Sequence, residues 1–196
     1  MTTATYRQEF VVPAFLPEAL REEVMATRKA LTDRLVEACA QRWGYPIEQI
    51  VARDVRQIPE HAIMVGVGHE WATVFSGPIG QSQALGVYGV ACRTASIMSV
   101  RVGRGAGAIP AVILGEFPTS PWLPIVARYA DGDGEGLGPS WPLYFHEPFL
   151  FRDHEHATVQ VQAQKAMRAT VHVLGVVVEV AGMTIAPDAP SADWRL

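Results

Sequence analysis

Apolar positions along this chain change period once, near Gly44. Before it, Leu20, Val24, Leu31, Leu35 and Cys39 recur at helical spacing, and Trp43 extends the stripe. Pro17 stands where a first helical position belongs, and Glu18, Glu22 and Glu23 crowd the first turns, where the helix dipole favours negative charge. Gly44 supplies the stop. The pattern predicts one amphipathic helix over Pro17 to Trp43, its stripe a packing face for a sheet or another subunit. Ahead of it, Tyr6, Phe10 and Val12 share one face of an extended segment, with Arg7 and Glu9 on the other, which predicts a first strand ended by Pro13.

After Gly44, Val and Ile become frequent and Gly and Pro recur at short intervals. The predicted strands are Ile50 to Val55, Ala62 to Val67, Leu85 to Cys92, Ile97 to Val102, Ala111 to Phe117 and Ile125 to Tyr129. The stretch Trp141 to Val180 then reads as three more strands joined by short turns, a hairpin that closes a sandwich. Within it Val159, Val161 and Ala163 fall on one face and Gln160, Gln162 and Gln164 on the other. Many short strands with Gly/Pro turns predict a mainly β fold, an antiparallel β-sandwich or barrel of jelly-roll type carrying one long N-terminal amphipathic helix. No second helical pattern follows, so alternating βα units are not expected. Residues 1–46 form the N-terminal strand and helix and residues 47–196 the β-sandwich, as one compact unit.

Charge adds a second constraint. Charged residues make up 18% of the 196, against about 25% in ordinary soluble domains. Interface cores are depleted of charge, so buried subunit contacts account for the shortfall and point to a homo-oligomer. The net charge of −4 comes with no basic stripe, which argues against nucleic acid. The start, MTTATYRQEF, lacks the basic and apolar regions of a signal peptide, and no apolar run approaches the roughly 20 residues of a membrane span. Cys39 and Cys92 are too far apart in sequence to suggest a disulfide framework or a zinc knuckle.

Four motifs carry candidate chemistry. Four of the six histidines, His146, His154, His156 and His172, lie between residues 141 and 180. His154 and His156 at i, i+2 share a face if extended, and imidazoles from adjacent strands with Glu147 or Glu155 suit a first-row metal. The pattern partly resembles the H-x-H of cupins, but Val159, Gln160 or Val161 stands where their Glu falls. The bland alternative is a polar turn, RDHEHA. Gly80-Gln81-Ser82-Gln83-Ala84 approximates a nucleophile elbow, with Asp131 and His154 following in the order of a triad, but the flanking residues do not read as strand and helix. Gly103 to Ala108 satisfies G-x-G-x-x-A yet precedes a β-rich run, which makes it a hairpin loop. Asp131 to Gly136 begins like a calcium loop, but Pro142 occupies the twelfth position, where a bidentate Glu belongs. No catalytic residue and no cofactor is assigned. Trp122, Trp141, Tyr144 and Phe145, among six prolines between 118 and 148, are the expected interaction residues, on an arm laid over a partner or over the open end of the sandwich.

The run Glu147-Pro148-Phe149-Leu150-Phe151, a polar turn, Val159 and Val161, then Val171, Val173, Leu174, Gly175 and Val176, resembles the closing strands of small β-sandwich phage virion proteins. The resemblance covers the last quarter of the chain. It implies a capsid decoration, cement, vertex or tail protein that assembles with itself and contacts a major capsid protein, without catalytic residues. A metal-dependent, cupin-like small-molecule enzyme using His146, His154 and His156 is the alternative.

Overall fold

The computed structural model describes residues 5–10, 18–55, 62–65, 70–92, 97–106, 109–118, 141–163 and 166–182. Along the chain they form β1 (Arg7–Glu9), α1 (Glu18–Trp43), β2 (Ile50–Asp54), β3 (Ala62–Val65), β4 (Ala72–Pro78), β5 (Gln83–Cys92), β6 (Ile97–Arg104), β7 (Val112–Pro118), β8 (Trp141–Phe151), β9 (His156–Ala163) and β10 (Met167–Val180).

The strands make two sheets. The larger runs β1-β2-β10-β5-β8, with β3 also paired to β10, and the smaller runs β4-β9-β6-β7. All pairs are antiparallel except β1 with β2. Taken from β3 onward, the orders 3-10-5-8 and 4-9-6-7 are those of a jelly roll, in which successive strands cross between two sheets except at the β6–β7 hairpin. The predicted mainly β sandwich with one N-terminal helix is therefore the fold.

One correction follows from the topology. Strand β9 pairs with β4 and β6, while β8 and β10 lie in the other sheet, so the stretch from Trp141 to Val180 is three strands but no hairpin. The polar turn between β8 and β9 crosses the sandwich instead of folding back. As expected, no alternating βα units occur among the described residues, although β1 runs parallel to β2 with α1 between them, a single βαβ unit ahead of the jelly roll. A parallel neighbour needs such a crossover, and α1 supplies it.

The described residues consequently form three layers and two cores. Between the sheets, Leu85 and Val87 of β5, Phe151 of β8 and Val171, Val173 and Val177 of β10 meet Phe75, Val100, Val102, Val159 and Val161. On the other face of the larger sheet, Leu174, Val176, Val178 and Val180 of β10 meet Val24, Leu31, Leu35, Val36 and Cys39 of α1. Odd-numbered Val171, Val173 and Val177 thus serve the sandwich, and even-numbered Leu174, Val176, Val178 and Val180 the helix. Burial on both faces explains why Val171 to Val180 is nearly continuous in apolar residues instead of alternating. Val24, Leu31, Leu35 and Cys39 of the predicted stripe are buried as expected, with Arg28 and Thr32 buried among them; the Leu20 side chain lies outside the described ones. Gly86 admits α1 closely: a Cβ there would lie 2.7 Å from Leu35 Cδ1.

Strand β4 was missed by the pattern because Ser76-Gly77-Pro78 reads as a turn. A bulge at Val74 sets both Val74 and Phe75 into the core, and this breaks the alternation that would have marked the strand. Ile125 to Tyr129, expected as a strand, lies outside the described residues.

Candidate functional site

The polar turn after β8 is built by backbone hydrogen bonds. His154 N–H donates to Ile79 O at 3.0 Å, Ile79 N–H to Glu155 O at 2.8 Å, and Glu155 N–H to Arg152 O at 3.1 Å. The Glu155 carboxylate accepts from Arg152 N–H at 2.8 Å and stands 3.2 Å from Arg104 Nε. His154 holds φ of 68°, the left-handed corner of the turn. It is exposed, and it is not extended. The shared face expected for His154 and His156 therefore does not form.

His156 opens β9 and faces away from the sandwich core, on the outer side of the smaller sheet. Its Nε2 lies 2.7 Å from Ser76 Oγ. The two are diagonal neighbours, since His156 pairs with Pro78 and Ser76 with Thr158. A hydroxyl beside an imidazole is the first half of an activated nucleophile. The groups that could complete one are engaged elsewhere: Glu155 by Arg152 and Arg104, Gly105 N–H by His156 O at 2.9 Å, and Thr158 Oγ1 by Gly105 O at 2.7 Å.

His172 is buried in β10, opposite Ala91 of β5. It was expected beside His154 and His156 on a neighbouring strand, but β9 and β10 belong to different sheets. His146 falls in β8 between Tyr144, which pairs with Gly89, and Phe149, which pairs with Val87, where the strand bulges out of register. Among the described residues no group of three or more His, Cys, Asp or Glu is placed to hold a metal ion.

The serine of the elbow-like motif, Ser82, sits in a tight turn at φ of 55° between two strands. No helix follows it, so the geometry of a nucleophile elbow is absent at this turn. Gly103 to Ala106 enters the β6–β7 hairpin, in agreement with the loop reading.

The expected interaction residues divide. Trp141 and Tyr144 belong to β8 and pair with Cys92 and Gly89, so they are in a strand of the sandwich and not in an arm. Phe145 is buried, its ring 4.8 Å from that of Phe117 and 5.2 Å from that of Phe149. It closes the sandwich between the edge strands β7 and β8. Trp122 and the acidic loop Asp131 to Gly136 lie outside the described residues.

Sequence reasoning missed a polar row across the outer face of the smaller sheet. Thr73, Gln160, Arg101 and Glu116 stand opposite one another on four successive strands. Gln160 Nε2 donates to Thr73 Oγ1 at 3.1 Å, and Arg101 Nη2 and Nε donate to Glu116 Oε2 at 2.8 and 3.1 Å. The Arg101 guanidinium stacks 3.8 Å above the Trp71 ring. Gln160 is wholly buried although alternation marks it as solvent-facing. Cross-strand register, which a single strand's pattern does not contain, creates this row.

A second polar cluster is likewise built from its own members. Glu179 accepts from Arg53 Nε at 3.0 Å, Arg53 Nη2 at 3.2 Å and Gln83 Nε2 at 2.7 Å.

No family model, curated protein or solved structure matches the chain. Among the described residues no helix is long and apolar enough to cross a membrane, which leaves membrane β-barrels untouched.

Proposed function

We propose that this chain is a non-enzymatic structural subunit of a large assembly, a decoration, cement or minor capsid protein of a phage virion. It acts through contacts with copies of itself and with a major capsid protein. One observation carries the reading: the inward positions of β9 and β6, where a ligand-binding barrel would present its chemistry, are Ala157, Val159, Val161, Ala163, Val100 and Val102. These residues make the space between the sheets a packed core. The jelly-roll order supports the same reading, since viral capsid domains are a recurrent use of it, although lectins and cupins share the architecture. The low charged fraction of 18% supports extensive subunit contact.

The test is the mass of the purified protein by sedimentation velocity, alone and mixed with shells of the candidate capsid protein. Self-association and co-sedimentation are expected. A protein that stays monomeric and ignores the shells overturns the reading. So does a stoichiometric transition metal found by elemental analysis and lost in His154→Ala/His156→Ala.

A further inference from the structure

Among the described residues five strands have an unpaired edge, β1, β3, β4, β7 and β8; β3 is only four residues long, and three of the others carry features that discourage pairing with another chain. Strand β1 exposes Arg7 and Glu9. Strand β4 ends in Pro78. Strand β8 exposes Glu147, contains Pro148 and bulges between Tyr144 and Phe149. Charges, prolines and bulges are how natural sheets keep their edges single.

Strand β7 is different. It pairs with β6 on one side, and among the described residues no strand pairs with its other side. Its one charged residue, Glu116, is held by two donors of Arg101 in the same sheet, so the edge presents no unbalanced charge. Five large apolar side chains are exposed among the described residues, and three of them, Ile109, Val112 and Ile113, fall within five positions at the start of β7. Ile109 is 77% exposed, at the tip of the β6–β7 hairpin. Pro110 beneath it is buried against Gly103, where a Cβ would lie 2.5 Å from the proline ring, so the tip is held in place. The bulge at Leu114 bends the strand and restricts straight pairing to its Val112–Ile113 end.

We infer that the tip and edge from Ile109 to Ile113 form a contact between two copies of this chain related by a two-fold axis. A strand edge is complementary to itself when antiparallel, and a two-fold axis brings identical patches together. The neutral edge brings no like charges face to face in such a pair. Each copy covers the other's Val112 and Ile113. This inference rests on the assembly reading above and names its self-contact.

The test is light scattering after size exclusion, with wild type beside Ile113→Lys and Val112→Lys, and Met25→Lys as an exposed apolar control on α1. Circular dichroism melts report folding. Wild type and Met25→Lys are expected to share one mass, a multiple of two chains. Either edge variant is expected to halve it with an unchanged melt; two positions keep the test decisive if one variant misfolds. A wild-type multimer that both folded edge variants preserve overturns this contact and leaves the assembly reading standing. A wild type that is monomeric at every concentration overturns the contact and also counts against the assembly reading. A monomer whose β7 amides resist hydrogen exchange gives the edge to another segment of the same chain and likewise overturns it.

Discussion

Arg28 Nη1 lies 2.9 and 3.0 Å from the two carboxylate oxygens of Asp54, which joins the buried face of α1 to the end of β2. The Phe10 ring covers the same guanidinium at 4.3 Å. The two partners are unequally buried, with 7% of the Arg28 side chain exposed against 27% for Asp54. The pair therefore predicts asymmetric mutants. Asp54→Ala strips the carboxylate from a charge that water barely reaches and is expected to cost about 3 kcal/mol. Arg28→Met keeps an apolar stem in the stripe and leaves a carboxylate that water can solvate, at about 1 kcal/mol. Urea unfolding with a common slope measures both. Equal losses would mean that the guanidinium is no more desolvated than its partner.

Two glycines predict a second ordering. A Cβ at Gly86 meets Leu35 Cδ1 at 2.7 Å and Leu31 Cδ2 at 3.1 Å, the far ends of flexible side chains. A Cβ at Gly103 meets the Pro110 ring at 2.5 and 2.7 Å and Val112 O at 2.8 Å, neither of which can rotate aside. Gly103→Ala is expected to lower the melting temperature more than Gly86→Ala, with costs of about 3 and about 1 kcal/mol within the usual range for overpacking. Thermal melts of the two variants decide it. A reversed order would mean that the hairpin tip yields more readily than the helix layer.

The stripe on α1 and the strands β2, β5, β6 and β9 were legible because each has one environment per face, which is what periodicity encodes. Strand β4 was hidden by the bulge at Val74, and the extent of β10 by its two apolar faces. Sheet membership is a long-range property: nothing in RDHEHA says whether the chain turns back in one sheet or crosses to the other. The histidine cluster depended on that choice and dispersed with it. Arg28 and Gln160 were invisible as buried groups, because their partners Asp54 and Thr73 lie 26 and 87 positions away.

Cys39 on the buried side of α1 predicts a reactivity pattern. Burial pushes its thiol from an ordinary 9.0 up to about 11, against the smaller opposing pull of the Arg42 charge. At pH 8, peptide-resolved alkylation is expected to leave Cys39 unmodified in the native protein and to label it fully in urea. The folded state holds this proton more tightly than the unfolded chain does. The associated stability is thus present in full below pH 9 and is lost as pH rises toward 11. Cys39→Ser should flatten that part of the pH profile. Rapid native alkylation of Cys39 at pH 8 contradicts the packing of α1.

His154 separates the turn reading from a metal reading by the sign of a stability change. Its φ of 68° is disfavoured for an L side chain by about 1–2 kcal/mol and costs glycine nothing. Glycine also gives the unfolded chain about 0.4–1 kcal/mol more entropy to lose, which offsets part of the gain. His154→Gly is therefore expected to stay at wild-type stability or rise by up to about 1 kcal/mol. The turn itself survives the substitution, because its hydrogen bonds to Ile79 use the backbone of residues 154 and 155. His156→Ala behaves differently, since it removes the contact with Ser76 and is expected to cost about 1 kcal/mol. A metal held by both histidines would make both variants less stable and would make wild type sensitive to chelators. Chemical unfolding of the two variants, with and without chelator, tells the cases apart. A destabilised His154→Gly would assign the imidazole a partner that the turn geometry does not require.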